Sequence, residues 1–113
     1  MRFIRARSAI AAVGLAITLS ALGDGGARAQ DTVQVDVQLF VYQPAAISVP
    51  VGTTVVWTNR DPVAHTVTDV NQMYDSGPFE ESGTYAKTFD APGVYEYYCV
   101  PHPTMLGRVE VTG

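Results

Sequence analysis

The chain is short of several things that small domains rely on. It has one cysteine, so no disulfide can form within it. It has two histidines, His65 and His102, so no Ser-His-Asp arrangement can be assembled without using one of them. Beyond residue 29 it has three cations, Arg60, Lys87 and Arg108, against ten acids, for a net charge of about −7 with neutral histidines. So few cations exclude nucleic acid and anionic membrane surfaces as partners, because both are bound through clustered Lys and Arg. From Asp61 to Glu81 there are five acids (Asp61, Asp69, Asp75, Glu80 and Glu81) and no Lys or Arg. That run serves either solubility or steering towards a basic partner. No internal repeat, low-complexity tract, linker or sustained helical periodicity is present.

What is there begins with an amino-terminal signal. Arg2, Arg5 and Arg7 precede Ser8 to Leu22, 15 residues without a charge, and Ala27-Arg28-Ala29 then reads as a small-x-small cleavage site. Ala21-Leu22-Gly23 is a second possible cleavage point. Charged, apolar and small segments in that order make an export signal over residues 1–29. A run of 15 is short against the about 20 residues a spanning helix needs. The arginines are not paired and no cysteine follows the apolar run, so neither a twin-arginine route nor a lipid anchor is indicated. The expectation is a soluble, periplasmic, monomeric protein of one domain, residues 30–113, after cleavage. A domain of this size buries only about 60–65% of its unfolded surface and is marginal without help. With no disulfide to help it, either the fold is unusually regular or a metal supplies the missing stability.

Val33, Val35, Val37, Leu39 and Val41 alternate with polar residues, which predicts one half-buried strand over nine residues. Further strands are expected at Ala46–Val49, Thr53–Thr58, Ala64–Thr68, Thr84–Phe89, Val94–Cys99 and Arg108–Thr112, and an irregular loop with room for one helical turn at Val70–Gly83. Turn residues recur every eight to twelve positions. Seven to eight short strands at that spacing predict an all-β, antiparallel Greek-key sandwich. In Val94–Cys99 the residues Tyr95, Tyr97 and Cys99 share the inner face, and Val94, Glu96 and Tyr98 the wet one.

The chemistry gathers in Cys99-Val-Pro-His102-Pro-Thr-Met105, with His at plus three and Met at plus six from the cysteine. Taken singly, a cysteine at a strand end, a histidine beside Val and Thr, and a methionine are ordinary core residues. Together, a thiolate, an imidazole and a thioether on one short stretch suit copper better than any other common metal. A fourth donor must come from elsewhere, and His65 is the remaining histidine. A structural zinc site is the rival, weakened because a thioether is a poor zinc donor.

Trp57-x-Asn59 leading to His65-Thr-Val67, then Phe89-x-x-Pro-Gly-x-Tyr95-x-Tyr-x-Cys99-x-x-His102-Pro-x-Met105-x-Gly107, resembles the cupredoxins, the type 1 blue copper proteins. The short two-and-two spacing is similar to the amicyanin type, while plastocyanin types have longer loops. The resemblance implies a cupredoxin-like sandwich holding one copper per chain. His65, Cys99 and His102 would form a trigonal plane and Met105 a long axial ligand. It also implies that the N–H of Thr66 donates to the Cys99 sulfur and that the exposed edge of His102 is the electron port. Tyr98 is similar to the exposed tyrosine of plastocyanins and could form a second port. The chain departs from the family pattern at Thr66, often Asn, and at Val100, often Ser or Thr. The side-chain bridge between the two ligand loops is then not expected, and a softer loop or a shifted potential is.

The reading is therefore an exported electron carrier cycling Cu(I) and Cu(II) between redox partner proteins, basic ones being the best match. The alternative is a periplasmic copper-sequestering or copper-delivery protein. It is not an enzyme: both histidines are spent at one site, leaving none for a second, catalytic copper.

Overall fold

Among the described residues eight strands form, and they stack as two four-stranded sheets. The computed structural model describes Arg28 and residues 31–113. The expected export signal falls on residues 1–29, outside the described residues apart from Arg28. The strands are β1 (Thr32–Gln38), β2 (Val41–Gln43), β3 (Ala46–Pro50), β4 (Thr54–Asn59), β5 (Thr68–Asp69), β6 (Thr84–Thr88), β7 (Gly93–Cys99) and β8 (His102–Thr112). One sheet runs β2-β1-β4-β6 and the other β3-β8-β7-β5. Among the described residues no helix is long and apolar enough to cross a membrane.

The sandwich matches the expected fold class, with one difference in direction. Most pairs are antiparallel, but β1 runs parallel to β4 and β3 parallel to β8. The chain changes sheet between β2 and β3 and again between β3 and β4. It therefore returns beside β1 pointing the same way, as a crossover requires.

The predicted nine-residue strand is two strands. Leu39 and Phe40 both take positive φ, 58° and 60°, and the chain reverses there, so Gln38 pairs with Val41. Two positive φ values in a two-residue hairpin loop normally call for Asn-Gly. Here two large side chains adopt them, at about 1–2 kcal/mol each. What offsets that cost lies 22 residues away: the Asp61 carboxylate accepts the Leu39 N–H at 2.8 Å, and from 21 residues away the Phe40 N–H at 3.0 Å.

Between the sheets the inward positions of β1, β4, β7 and β8 meet: Val35, Val37, Val55, Trp57, Tyr97, Val109 and Val111 are buried. Trp57 sits at the centre and donates its indole N–H to the Tyr97 hydroxyl at 3.1 Å. Gly107 is required by this packing, since a Cβ there would lie 2.2 Å from the Tyr97 ring. The segment 70–83 forms no helical turn. It is an extended strap fastened by the bridges Thr68–Asp75 and His65–Phe79.

Candidate metal centre

β7 carries Tyr97 and Cys99 inward, as its alternation predicts, and Cys99 ends fully buried at one edge of the core. Val100 and Pro101 then make the reversal, and Cys99 pairs with His102 as the first residue of β8. His102 thus opens a strand and does not sit within a loop. The register puts Cys99 opposite His102 but Tyr98 opposite Leu106. Pro103, Thr104 and Met105 therefore bulge from β8, and Met105 turns back inside at 4% exposure. The His102 Nδ1 lies 3.5 Å from the Cys99 sulfur.

His65 arrives from the other sheet. β4 ends at the buried Asn59, whose amide donates to the carbonyls of Val63 at 2.8 Å and Phe79 at 3.0 Å. Its side-chain oxygen accepts the Asp61 N–H at 2.8 Å. One asparagine thus folds the 59–63 turn and fastens the strap over it. His65 is locked by a pair of backbone hydrogen bonds with Phe79, of 3.3 and 3.0 Å. Its Nδ1 faces the Cys99 sulfur at 3.6 Å, and its Nε2 meets the Asp61 carboxylate at 2.8 Å. Burial pushes the Asp61 carboxyl up, but the Phe40 and Leu39 N–H groups and the His65 ring outweigh it and hold the group below the usual carboxylate range.

The three donors fit a metal. The sulfur and one nitrogen from each ring lie within 4.8 Å of one another. Donors bound at about 2.0–2.3 Å to one ion stand about 3.5–3.8 Å apart, which the two sulfur–nitrogen distances of 3.5 and 3.6 Å match. A thiolate with two imidazoles, and a thioether buried on the adjoining bulge, is a donor set for copper.

Around the sulfur, the Thr66 N–H donates to Sγ at 3.4 Å. Pro101 has no N–H to add a second such bond. The bridge between the ligand loops, not expected with Thr66 and Val100, is present in another form. The Val100 backbone N–H donates to the Thr66 hydroxyl at 2.9 Å. A backbone donor takes the place of the missing side chain. The Thr68 hydroxyl donates to Asp75 at 2.9 Å, so its 2.8 Å contact with Thr66 leaves Thr66 as the donor. A single directed chain runs from Val100 through Thr66 and Thr68 to the Asp75 carboxylate. Behind it the buried Tyr42 hydroxyl donates to the Thr66 carbonyl at 2.6 Å.

Three of the four expected ligands are brought together by the fold. His65, Cys99 and His102 converge, and Met105 is buried on the bulge beside them in sequence. Three contributors escape a reading of the sequence. Asp61 stands four residues before His65 within Asn59-Arg-Asp-Pro62, a run that announces only a turn. Phe40 looks like part of a strand, yet its ring packs edge-on to His65 and His102, with centroids 5.1 and 4.8 Å away. Asp75 lies in the strap, and only folding brings it to Thr68. The acidic run is also less of a surface feature than its composition suggests, since Asp61 and Asp69 are buried.

Residues 29–112 match the family described as copper binding proteins, plastocyanin/azurin family. The chain is 35% identical over 88 residues to an amicyanin of Paracoccus denitrificans, covering 74% of this chain and 67% of that protein. Among solved structures it is similar to a purple cupredoxin from Nitrosopumilus maritimus, with a TM-score of 0.66 and 34% identity over 71% of this chain and 99% of that one. A reduced amicyanin variant superposes with a TM-score of 0.68 at 30% identity, covering 80% and 86%. A β-sandwich that folds two imidazoles onto one buried thiolate, and that shares this much sequence with copper proteins, belongs to the plastocyanin/azurin family of copper-binding proteins, the cupredoxins.

Proposed function

We propose that this chain is a periplasmic, soluble, single-electron carrier, with residues 30–113 as the mature domain after removal of the 1–29 signal. His65, Cys99 and His102 would hold copper as its strong donors, and Met105 would add a weak thioether donor. The observation that carries this reading is the convergence of both Nδ1 atoms on one buried sulfur, with one imidazole inside the protein and the other half-exposed. Bound copper supplies a centre that exchanges one electron, Cu(I) with Cu(II). The chain's own part is to keep the donors still while that happens. His65 and Cys99 are fully buried and hydrogen-bonded on their outer sides. Such a set changes little between oxidation states, which keeps reorganisation small.

His102 offers the way in and out. It lies against Phe40, at 46% exposure, and two residues after Val100, at 52%, so exposed apolar side chains stand near it in space and in sequence. That apolar surface suits brief docking of another redox protein. The net charge of about −7, with Asp75, Glu80 and Glu81 at the surface, favours a partner whose docking face is basic. No enzymatic step is assigned, because both histidines are engaged at this site.

The test is reconstitution with Cu(II). One equivalent bound with an intense visible thiolate-to-copper band is the expected result. Binding without that band, or binding of Cu(I) alone, would instead fit a copper-sequestering or delivery protein.

A further inference from the structure

One buried carboxylate, Asp61, joins His65 to the turn that carries Phe40. Asp61 is 5% exposed. Its Oδ1 accepts the Leu39 N–H at 2.8 Å, and its Oδ2 accepts both the Phe40 N–H at 3.0 Å and the His65 Nε2 at 2.8 Å. Its own N–H is fixed by Asn59 at 2.8 Å. The carboxylate is therefore held by two backbone donors, and its backbone by Asn59, before it meets the imidazole. Two of its three donors belong to the turn that presents Phe40 edge-on to both imidazoles.

We infer that Asp61 is a positioning residue for the metal centre: it selects the tautomer of His65, strengthens that imidazole as a donor, and pins the Leu39–Phe40 turn against both ligand rings. This rests on His65 being a ligand. The physical steps are short. A carboxylate can only accept, so Nε2 must carry the proton and Nδ1, on the sulfur side, is left with its lone pair. A negative acceptor on Nε2–H makes Nδ1 more basic. A more basic imidazole favours Cu(II) over Cu(I), so Asp61 lowers the reduction potential. The left-handed pair at Leu39 and Phe40 persists because the same carboxylate satisfies both N–H groups, so the seat of Phe40 and the tautomer of His65 are set together.

The experiment compares copper-loaded wild type with Asp61→Asn and Asp61→Glu. Outer partners of metal ligands are typically worth about 10- to 100-fold in affinity. Asp61→Asn is expected to weaken Cu(II) by that factor and Cu(I) by less, so the potential rises. Asp61→Glu, which restores a carboxylate, is expected to recover part of the shift. Equal losses for both oxidation states, with an unchanged potential, would show that Asp61 serves the turn alone and would overturn the inference. If Asp61→Asn does not fold, long-range 15N–1H NMR of the wild-type Cu(I) protein decides. The inference requires metal at Nδ1 of His65 and a slowly exchanging proton at Nε2. It fails if Nε2 is the bound nitrogen or its proton exchanges at solvent rates. A wild type that takes up Cu(II) without the visible band would sink the ligand assignment itself, a different failure from a coloured wild type that Asp61→Asn leaves unmoved.

Discussion

The two imidazoles face the same sulfur from almost the same distance and differ in everything else. His65 is fully buried, tied at its backbone to Phe79 and at its far nitrogen to Asp61. His102 is half-exposed, opens β8 between Pro101 and Pro103, and is steadied by the turn and by the edge of Phe40. A centre that must hold a metal and still pass an electron needs both kinds. On the proposed reading, the buried ring would be the fixed side of the centre. On the same reading, the half-exposed ring would give a short path to a partner. Rigidity can be supplied from one side only, because a second buried imidazole would close the port.

The largest test of that contrast is to delete each ring. His102→Gly is expected to lose the visible band and regain it with added imidazole, since the vacated space opens to solvent. His65→Gly is expected to lose the band without rescue, because its space is sealed; titrating both variants with imidazole and following absorbance checks this. Rescue of His65→Gly would show that the buried side is less closed than the structure has it.

Next in size are changes behind the buried ring and beside the sulfur. Gly107→Ala drives a methyl group into Tyr97, which packs on Tyr42, the donor to the Thr66 carbonyl next to His65. Overpacking of this kind costs about 1–3 kcal/mol in urea unfolding. Thr66→Val strips the acceptor from the Val100 N–H beside Cys99 and leaves it unsatisfied, for about 1–3 kcal/mol.

Alkali is expected to loosen the buried side. Burial pushes the Tyr97 hydroxyl up to about 12 and raises Tyr42 as well. A folded-state value above the unfolded one, about 10, gives stability that is complete below that pH and is lost as pH rises through the folded value. Unfolding followed by circular dichroism is thus expected to grow easier from about pH 10 to 12. Phenolate absorbance from these two side chains is expected to appear with unfolding and not before it. The smallest effect is Tyr98→Leu. Tyr98 is half-buried between Thr68 and Leu106 in its sheet. A modest fall in stopped-flow transfer to a basic partner would mark it as a second port, and an unchanged rate would leave His102 as the port.

Much of this was legible in the chain itself. Period-two alternation placed β7 and the inward aim of Cys99, because side-chain direction in a strand follows from position alone. Donor chemistry named the metal from four residues of three types, because softness belongs to the side chain and not to the fold. The same alternation erred at Leu39 and Phe40, where apolar residues continue the pattern through a reversal. Nothing local marks that turn, since its cause is a carboxylate 22 positions on. The bridge at Val100 was missed for a similar reason: a backbone N–H takes the part of a side chain, and residue names do not record backbone donors.

The sequence by itself determined the donor set, the spacing that puts Cys99 beside His102, the acidic charge and the sandwich. Those follow from composition and short-range periodicity. Only the tertiary structure decided that His65 presents Nδ1 to the sulfur and Nε2 to Asp61, that Phe40 sits against both rings, and that Thr66 links the two ligand segments. Each of these joins residues more than 20 positions apart or depends on which atom of a ring faces which way. A linear pattern holds neither kind of information; packing two sheets around Trp57 supplies both.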